Sequence, residues 1–258
     1  LTPSIPLPHT VGIPHNDREM LMKKLLDTSK KQGNTKARKT NKESTIRMAT
    51  LTMLPDNYLC AGAKAAGCMN DCLKEAGLAQ VYSSINLARQ ARTDYWHADR
   101  QGFIDQLRRE LTNFTKLCAA QNVQGVVRLN VMSDIRWEDY EIPQSFPQLQ
   151  FYDYTKLADR FKRPLPENYR LMFSYSGREQ YRNQVRSFLE ARTDAPMAVV
   201  FRDKYFPKQF LGRPVIDGDA SDWVNVNNRG VVVGLVAKGP AKSNDNGFVV
   251  ETNLIPLL

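Results

Sequence analysis

The sequence predicts an α/β protein: a mostly parallel sheet covered by helices, barrel or broken-barrel in shape, with an extended basic N-terminal arm. Short runs such as Gly125-Val-Val-Arg-Leu-Asn-Val131, Met197-Ala-Val-Val-Phe201 and Gly230-Val-Val-Val-Gly-Leu-Val-Ala237 are nearly continuous in apolar residues, as strands covered on both faces are. Between such runs lie segments with apolar residues three and four apart, so strand and helix alternate. Asp, Asn and Ser gather where the strands end, which is where parallel sheets assemble their ligand sites. A chain of 258 residues can bury one large core, so the expected division is an arm, 1–44, and a single domain, 45–258.

The elements follow in order. Prolines 3, 6, 8 and 14 favour an extended opening segment, and residues 17–27 have helical spacing with Asn16 or Asp17 as a cap. Residues 29–44 are polar and basic with no apolar period, the pattern of a mobile arm. Arg47-Met-Ala-Thr-Leu-Thr-Met53 reads as the first strand, stopped by Pro55-Asp56-Asn57. Two helices follow, over 83–97 and 100–121, the second with Phe103, Ile104, Leu107, Leu111, Phe114 and Cys118 on one face. Strands are expected over 125–131, 149–153, 169–175, 197–201, 214–217, 230–237 and 247–251, the last two as neighbours, with a helix from Arg178 to about Ala191. The strand-end residues Asn130, Ser133, Asp134, Asp153, Tyr154, Ser174, Ser176, Asp217, Asp219 and Asp222 read either as an acidic, hydroxyl-rich ligand rim or as ordinary turn residues.

Charge is unevenly placed. The chain carries 36 basic and 27 acidic side chains, for a net +9. Residues 23–47 hold nine of the basic ones against two acids, so that segment alone is +7. Concentrated like charge gains nothing for folding and suits a polyanion, whose condensed counterions are released on contact. Lys30, Lys31, Lys36, Arg38, Lys39, Lys42 and Arg47 are therefore candidate phosphate contacts. Arg178, Arg182 and Arg186 recur every four residues, which on a helix makes one stripe, and Tyr181 lies beside it as a candidate base-stacking ring. The partner these features suggest is single-stranded nucleic acid, DNA before RNA, bound with little sequence preference. The competing reading is a solvated arm and a solvated helix face. No run approaches the roughly 18 apolar residues of a membrane span, so a soluble, intracellular protein with no membrane partner is expected.

Three of the four cysteines fall within thirteen residues, as Cys60-x7-Cys68-x3-Cys72 after the first strand. Thiolates gathered in a glycine-containing loop can hold a metal or an iron–sulfur cluster, and three small residues can equally pack a compact loop. The spacing matches neither a zinc knuckle nor a ferredoxin run. A cysteine loop after the first strand is similar to the layout of radical S-adenosylmethionine enzymes, from whose Cys-x3-Cys-x2-Cys it departs. No phosphate-cradling glycine loop or dinucleotide fingerprint is present, so a cluster enzyme stands as the alternative to nucleic-acid binding.

Several blocks in order resemble one family. They are Cys60-Ala-Gly-Ala with Gly67-Cys-Met-Asn-Asp-Cys72; Val127-Arg-Leu-Asn130 with Ser133-Asp134 and Trp137-Glu138; Phe151-Tyr-Asp-Tyr-Thr-Lys156; and Asn168-Tyr-Arg-Leu-Met-Phe-Ser174. Val215-Ile-Asp-Gly-Asp-Ala-Ser-Asp-Trp223, Gly230–Gly239 and Gly247-Phe-Val-Val250 complete the set. On these blocks, which run from about Thr45 to Val250, the chain resembles the gene-product-88-like bacteriophage proteins, a family with no settled biochemical role. It is also similar to the single-stranded-DNA-binding RNA polymerase cofactors of some small podoviruses. That second likeness implies single-stranded DNA and a phage RNA polymerase as partners, no cofactor, and action in the cytoplasm of the infected host cell.

Overall fold

The computed structural model describes residues 24–31, 34–42, 45–69, 83–191, 193–219 and 227–252. The proline-rich opening, Cys72, Asp222 and the C-terminal tail, on which expectations also rested, lie outside these residues.

Among the described residues, nine strands form one sheet: β1 (Leu26–Asp27), β2 (Ile46–Leu51), β3 (Gln124–Arg128), β4 (Gln150–Thr155), β5 (Tyr169–Ser174), β6 (Met197–Phe201), β7 (Gln209–Phe210), β8 (Arg213–Asp217) and β9 (Val232–Val236). Their order is β1-β2-β3-β4-β5-β6-β9-β8-β7. Every neighbouring pair from β2 to β8 is parallel. The two-residue edge strands run antiparallel to their neighbours. The expected mostly parallel α/β class holds, and the sheet is open. Closure into a barrel would need the two edge strands, β1 and β7, to pair, and among the described residues they do not.

From β2 to β6 each crossover steps the same way across the sheet, which with right-handed connections puts the covering helices on one face. On that face α4 (Arg100–Ala120) packs Phe103, Leu107, Leu111 and Phe114 against Ala49, Val127, Phe151 and Leu171. The helix starts where Asp99 accepts a hydrogen bond from Gly102 N at 2.9 Å. Further along, α6 (Arg182–Glu190) sets Val185 and Phe188 beside Phe173, Met197 and Val199. Phe173 stacks between Phe188, at 4.4 Å and 8°, and Tyr181, at 6.0 Å and 14°. The opposite face, formed by Met48, Val126, Tyr152, Met172, Ala198 and Val233, receives Ala37 of α1 (Thr35–Thr40). Three shorter or flanking helices are α2 (Ala63–Ala66), α3 (Ser83–Ala98) and α5 (Ile142–Ser145).

Four expectations change. The described part of the basic segment is folded onto the body. β1 pairs with β2, and Asn34 caps α1 by accepting from Lys36 N and Ala37 N. The Asn41 side chain accepts from Met48 N at 2.7 Å, and Leu25 N and Leu26 N donate to the Glu110 carboxylate. Second, residues 24–27, expected at the end of a helix, include β1 instead. Third, α6 begins at Arg182; Arg178 is extended at φ −66°, ψ 141° and precedes a 3₁₀ turn, Glu179–Tyr181. Fourth, β9 lies between β6 and β8, and residues 247–251 contribute a single bridge, Val250 to Phe201, rather than a strand beside β9. The pair of helices over 83–98 and 100–120, by contrast, falls where the apolar period puts it.

Candidate functional site

The loop after β2 is built to lie across strand ends. Asp56 Oδ1 accepts from Tyr58 N and Leu59 N, turning the chain so that Leu59 is buried and Cys60 N reaches Asp56 O at 3.0 Å. α2 then ends at Gly67 in the left-handed region, φ +78°. A Cβ there would stand 2.4 Å from Arg178 Cδ, so the close approach of that side chain also demands glycine. The loop is fixed to successive parallel strands. Leu59 O accepts from Asp134 N after β3, and a Cβ on Gly62 would stand 2.7 Å from Lys156 Cβ after β4. Ala66 O accepts from Ser176 Oγ after β5 at 2.8 Å, and Gly67 O from Asn246 Nδ2 at 3.0 Å. Lys64 O accepts from Arg178 Nη1.

Beneath the loop lies a buried polar network. Asp153 accepts from Asn130 N at 2.7 Å, Asn130 Nδ2 at 3.2 Å and the Tyr169 hydroxyl at 2.9 Å. Asn130 Oδ1 in turn accepts from Ser133 Oγ, Ile135 N and Trp137 Nε1. Arg160, fully buried, donates through Nε and Nη2 to both oxygens of Glu138, and through Nη1 to Asp134 at 3.1 Å. Burial pushes the Asp153 carboxyl up to about 7 against the pull of its hydrogen bonds. Burial also raises Asp134, with Arg160 opposing it. Asn130, Ser133, Asp134 and Asp153 are therefore interior struts of the strand ends rather than an open acidic rim. Asp219 is likewise engaged, with Lys238 at 2.5 Å and with Val236 N.

The thiols stand on the same edge. Cys60 and Cys68 are half-buried, and both act on the buried Tyr181, whose hydroxyl is raised by burial first, then by Asp134, Cys68 and Cys60. Among the described residues no three His, Cys, Asp or Glu side chains gather as a metal site; Cys72, the third cysteine of the loop, lies outside them. Tyr181 is no stacking platform: it is closed into the core, and its hydroxyl donates to Lys156 O at 2.7 Å. Cys118 is a core residue of α4, as its place on the apolar face implied.

The candidate phosphate contacts divide. Lys30, Lys31, Arg38, Lys39 and Lys42 are exposed. Lys36 and Lys39 reach the carbonyls of Gly218 and Asp219, and Arg47 donates to Thr28 O. Arg182 and Arg186 are exposed on α6, Arg182 paired with Glu179, and Arg178 leaves the stripe to hold the cysteine loop. α1 and α6 cover opposite faces of the sheet, so the two basic groups do not form one track. Lys156 and Arg160, two basic residues that follow β4, are buried. The strand register gave a signal for Lys156: Thr155 is opposite Phe173, so the next residue falls opposite Ser174.

Among the described residues no helix is long and apolar enough to cross a membrane. No curated protein and no solved structure matches the chain. The family model described as gene product 88 matches residues 23–252, which takes in β1, α1 and the cysteine loop as well as the blocks from residue 45 onward. The chain belongs to the gene product 88 family of bacteriophage proteins.

Proposed function

We propose that the chain is a metal-dependent enzyme centred on the C-terminal edge of its sheet, with Cys60, Cys68 and Cys72 as ligands of an iron–sulfur cluster. The observation that carries this reading is the anchoring of the loop bearing Cys60 and Cys68 across the ends of β3, β4 and β5. Parallel sheets present their ligands at that edge. What supports it chemically is the ligand type, soft thiols supplied by one short loop, as a cluster requires. A cluster held there supplies one-electron chemistry. The chain's own part is to fix the loop through Gly62, Gly67, Arg178 and Ser176, and to hold the strand ends rigid through Asn130, Asp153 and Arg160. Anaerobic purification, reconstitution and iron and sulfide analysis test it. The expected result is brown protein containing both, and colourless protein from Cys60→Ala, Cys68→Ala and Cys72→Ala. Folded wild-type protein that takes up neither element removes the proposal.

A second reading, binding of single-stranded nucleic acid, is favoured by a separate observation. Lys30, Lys31, Arg38 and Lys42 are exposed on and around α1 and form no ion pair among the described residues. Labelled single- and double-stranded oligonucleotides at two salt concentrations test it; absence of any salt-sensitive association ends it.

A further inference from the structure

The C-terminal edge carries a buried ammonium group whose bonding capacity the fold leaves largely unused. Lys156 is only 8 % exposed. Its backbone is pinned, since its N–H donates to Asp134 Oδ2 at 2.7 Å, its carbonyl accepts from the Tyr181 hydroxyl, and Gly62 presses on its Cβ. The side chain is held by less. Nζ donates one hydrogen bond, to Ser174 Oγ at 2.8 Å, and sits 5.2 Å from the centre of the Phe248 ring. Three donors are available on an ammonium, so two remain. Asp134 feels the charge, but its oxygens are taken by Arg160 and by the Lys156 backbone N–H, and no carboxylate among the described residues pairs with Nζ. Ser174, having accepted from Nζ, still has its own hydroxyl proton to give, with no acceptor among the described residues.

Burying a charge without a counter-charge is costly, and a chain that only needed to fold would satisfy it or replace it. The two unspent groups lie side by side at the ends of adjacent central strands, next to the cysteine loop. We infer that Lys156 and Ser174 form an oxyanion subsite that takes the carboxylate or phosphate group of a small ligand. The ammonium supplies the charge, the serine hydroxyl a second donor, and the pinned backbone fixes both in place. This deepens the proposed function by naming the class of molecule the edge receives; it rests on the edge being a ligand site and not on the metal.

The test uses metal-free full-length protein, titrated with inorganic phosphate, pyrophosphate and succinate at ionic strength matched with chloride. Melting temperature and titration calorimetry are the readouts. At least one anion should give a saturable rise in melting temperature. A response to the phosphates alone marks a phosphoryl ligand, and one to succinate alone a carboxylate. Lys156→Met should abolish the response and melt no lower than wild type without anion, because an apolar chain replaces an unpaired buried charge. Ser174→Ala should weaken binding about 10- to 100-fold, the worth of one hydrogen bond to a charged group. The inference is overturned if no anion gives a saturable response, or if Ser174→Ala binds as wild type does. It is equally overturned if Lys156→Met melts several degrees lower yet still responds, which would make the lysine structural. Iron and sulfide analysis of the same preparation separates the two ideas: anion binding without metal uptake removes the cluster alone, and metal uptake without anion binding removes the subsite alone.

Discussion

At the scale of single residues, the strand ends depend on groups that exchange hydrogen bonds out of contact with water. Arg160 answers two carboxylates at once, Asp134 and Glu138. Arg160→Ala would leave both without their cation, and breaking a buried pair from one side costs about 3–5 kcal/mol. Urea denaturation should show a loss of that size. Asp153 makes the same region sensitive to pH. Its folded-state value of about 7 lies above the roughly 3.9 of an unfolded aspartate, so the folded chain holds the proton longer. The stabilisation is complete below about pH 4 and is lost as pH rises through 7. Its size is on the order of a few kcal/mol, since a tenfold difference in proton affinity between the folded and unfolded chain corresponds to about 1.4 kcal/mol. Denaturation midpoints measured at pH 5 and pH 8 should therefore fall with pH in the wild type. Asp153→Asn should flatten that fall, and an unchanged slope in the variant would assign the effect elsewhere.

At the scale of elements, the cysteine loop shows what local sequence can and cannot reveal. Gly62 and Gly67 are visible in the sequence as permissive positions, but the reasons they must be glycine are Lys156 and Arg178, more than ninety residues away. Gly67→Ala forces a side chain into the left-handed region and onto Arg178. The expected cost is about 1–3 kcal/mol, with faster modification of Cys60 and Cys68 by a thiol reagent as the loop lifts from the strand ends. An unchanged modification rate would show that the loop is held by its other bonds. The same distance effect explains which elements were legible. α3 and α4 follow from their own apolar period, and the central strands from their own runs. β1 and α1 do not, because they have little apolar surface of their own; they are fixed by distant partners such as Glu110 and Met48. The helix read from Arg178 starts one turn late for a related reason, since that guanidinium is drawn to Lys64 O. For the candidate site, the thiols and the strand-end polar residues could be named from sequence. Their sorting into interior struts and unspent donors required the sheet register.

At the scale of the whole molecule, the distribution of charge separates two surfaces that looked continuous in the sequence. The described part of the basic segment lies along one edge of the sheet, with α1 on the face formed by Met48, Val126 and Tyr152. The remaining arginines of the expected stripe, Arg182 and Arg186, stand on the face covered by α6. A strand of nucleic acid following the first surface has no straight path to the second. Each phosphate neutralised on single-stranded nucleic acid contributes about 0.7 to the slope of log affinity against log salt. Replacing Lys30, Lys31, Arg38 and Lys42 together by glutamine should weaken oligonucleotide binding and flatten that slope by up to about 3, if each contacts one phosphate. Arg182→Gln with Arg186→Gln should leave both affinity and slope as they were. These positions are exposed, so neither set should move the melting temperature by more than a degree or two, and a binding change can be assigned to the surface. Equal losses from the two sets would mean that the ligand bends around the sheet edge, and no loss from the first would leave the positive segment as a fixture of the fold alone.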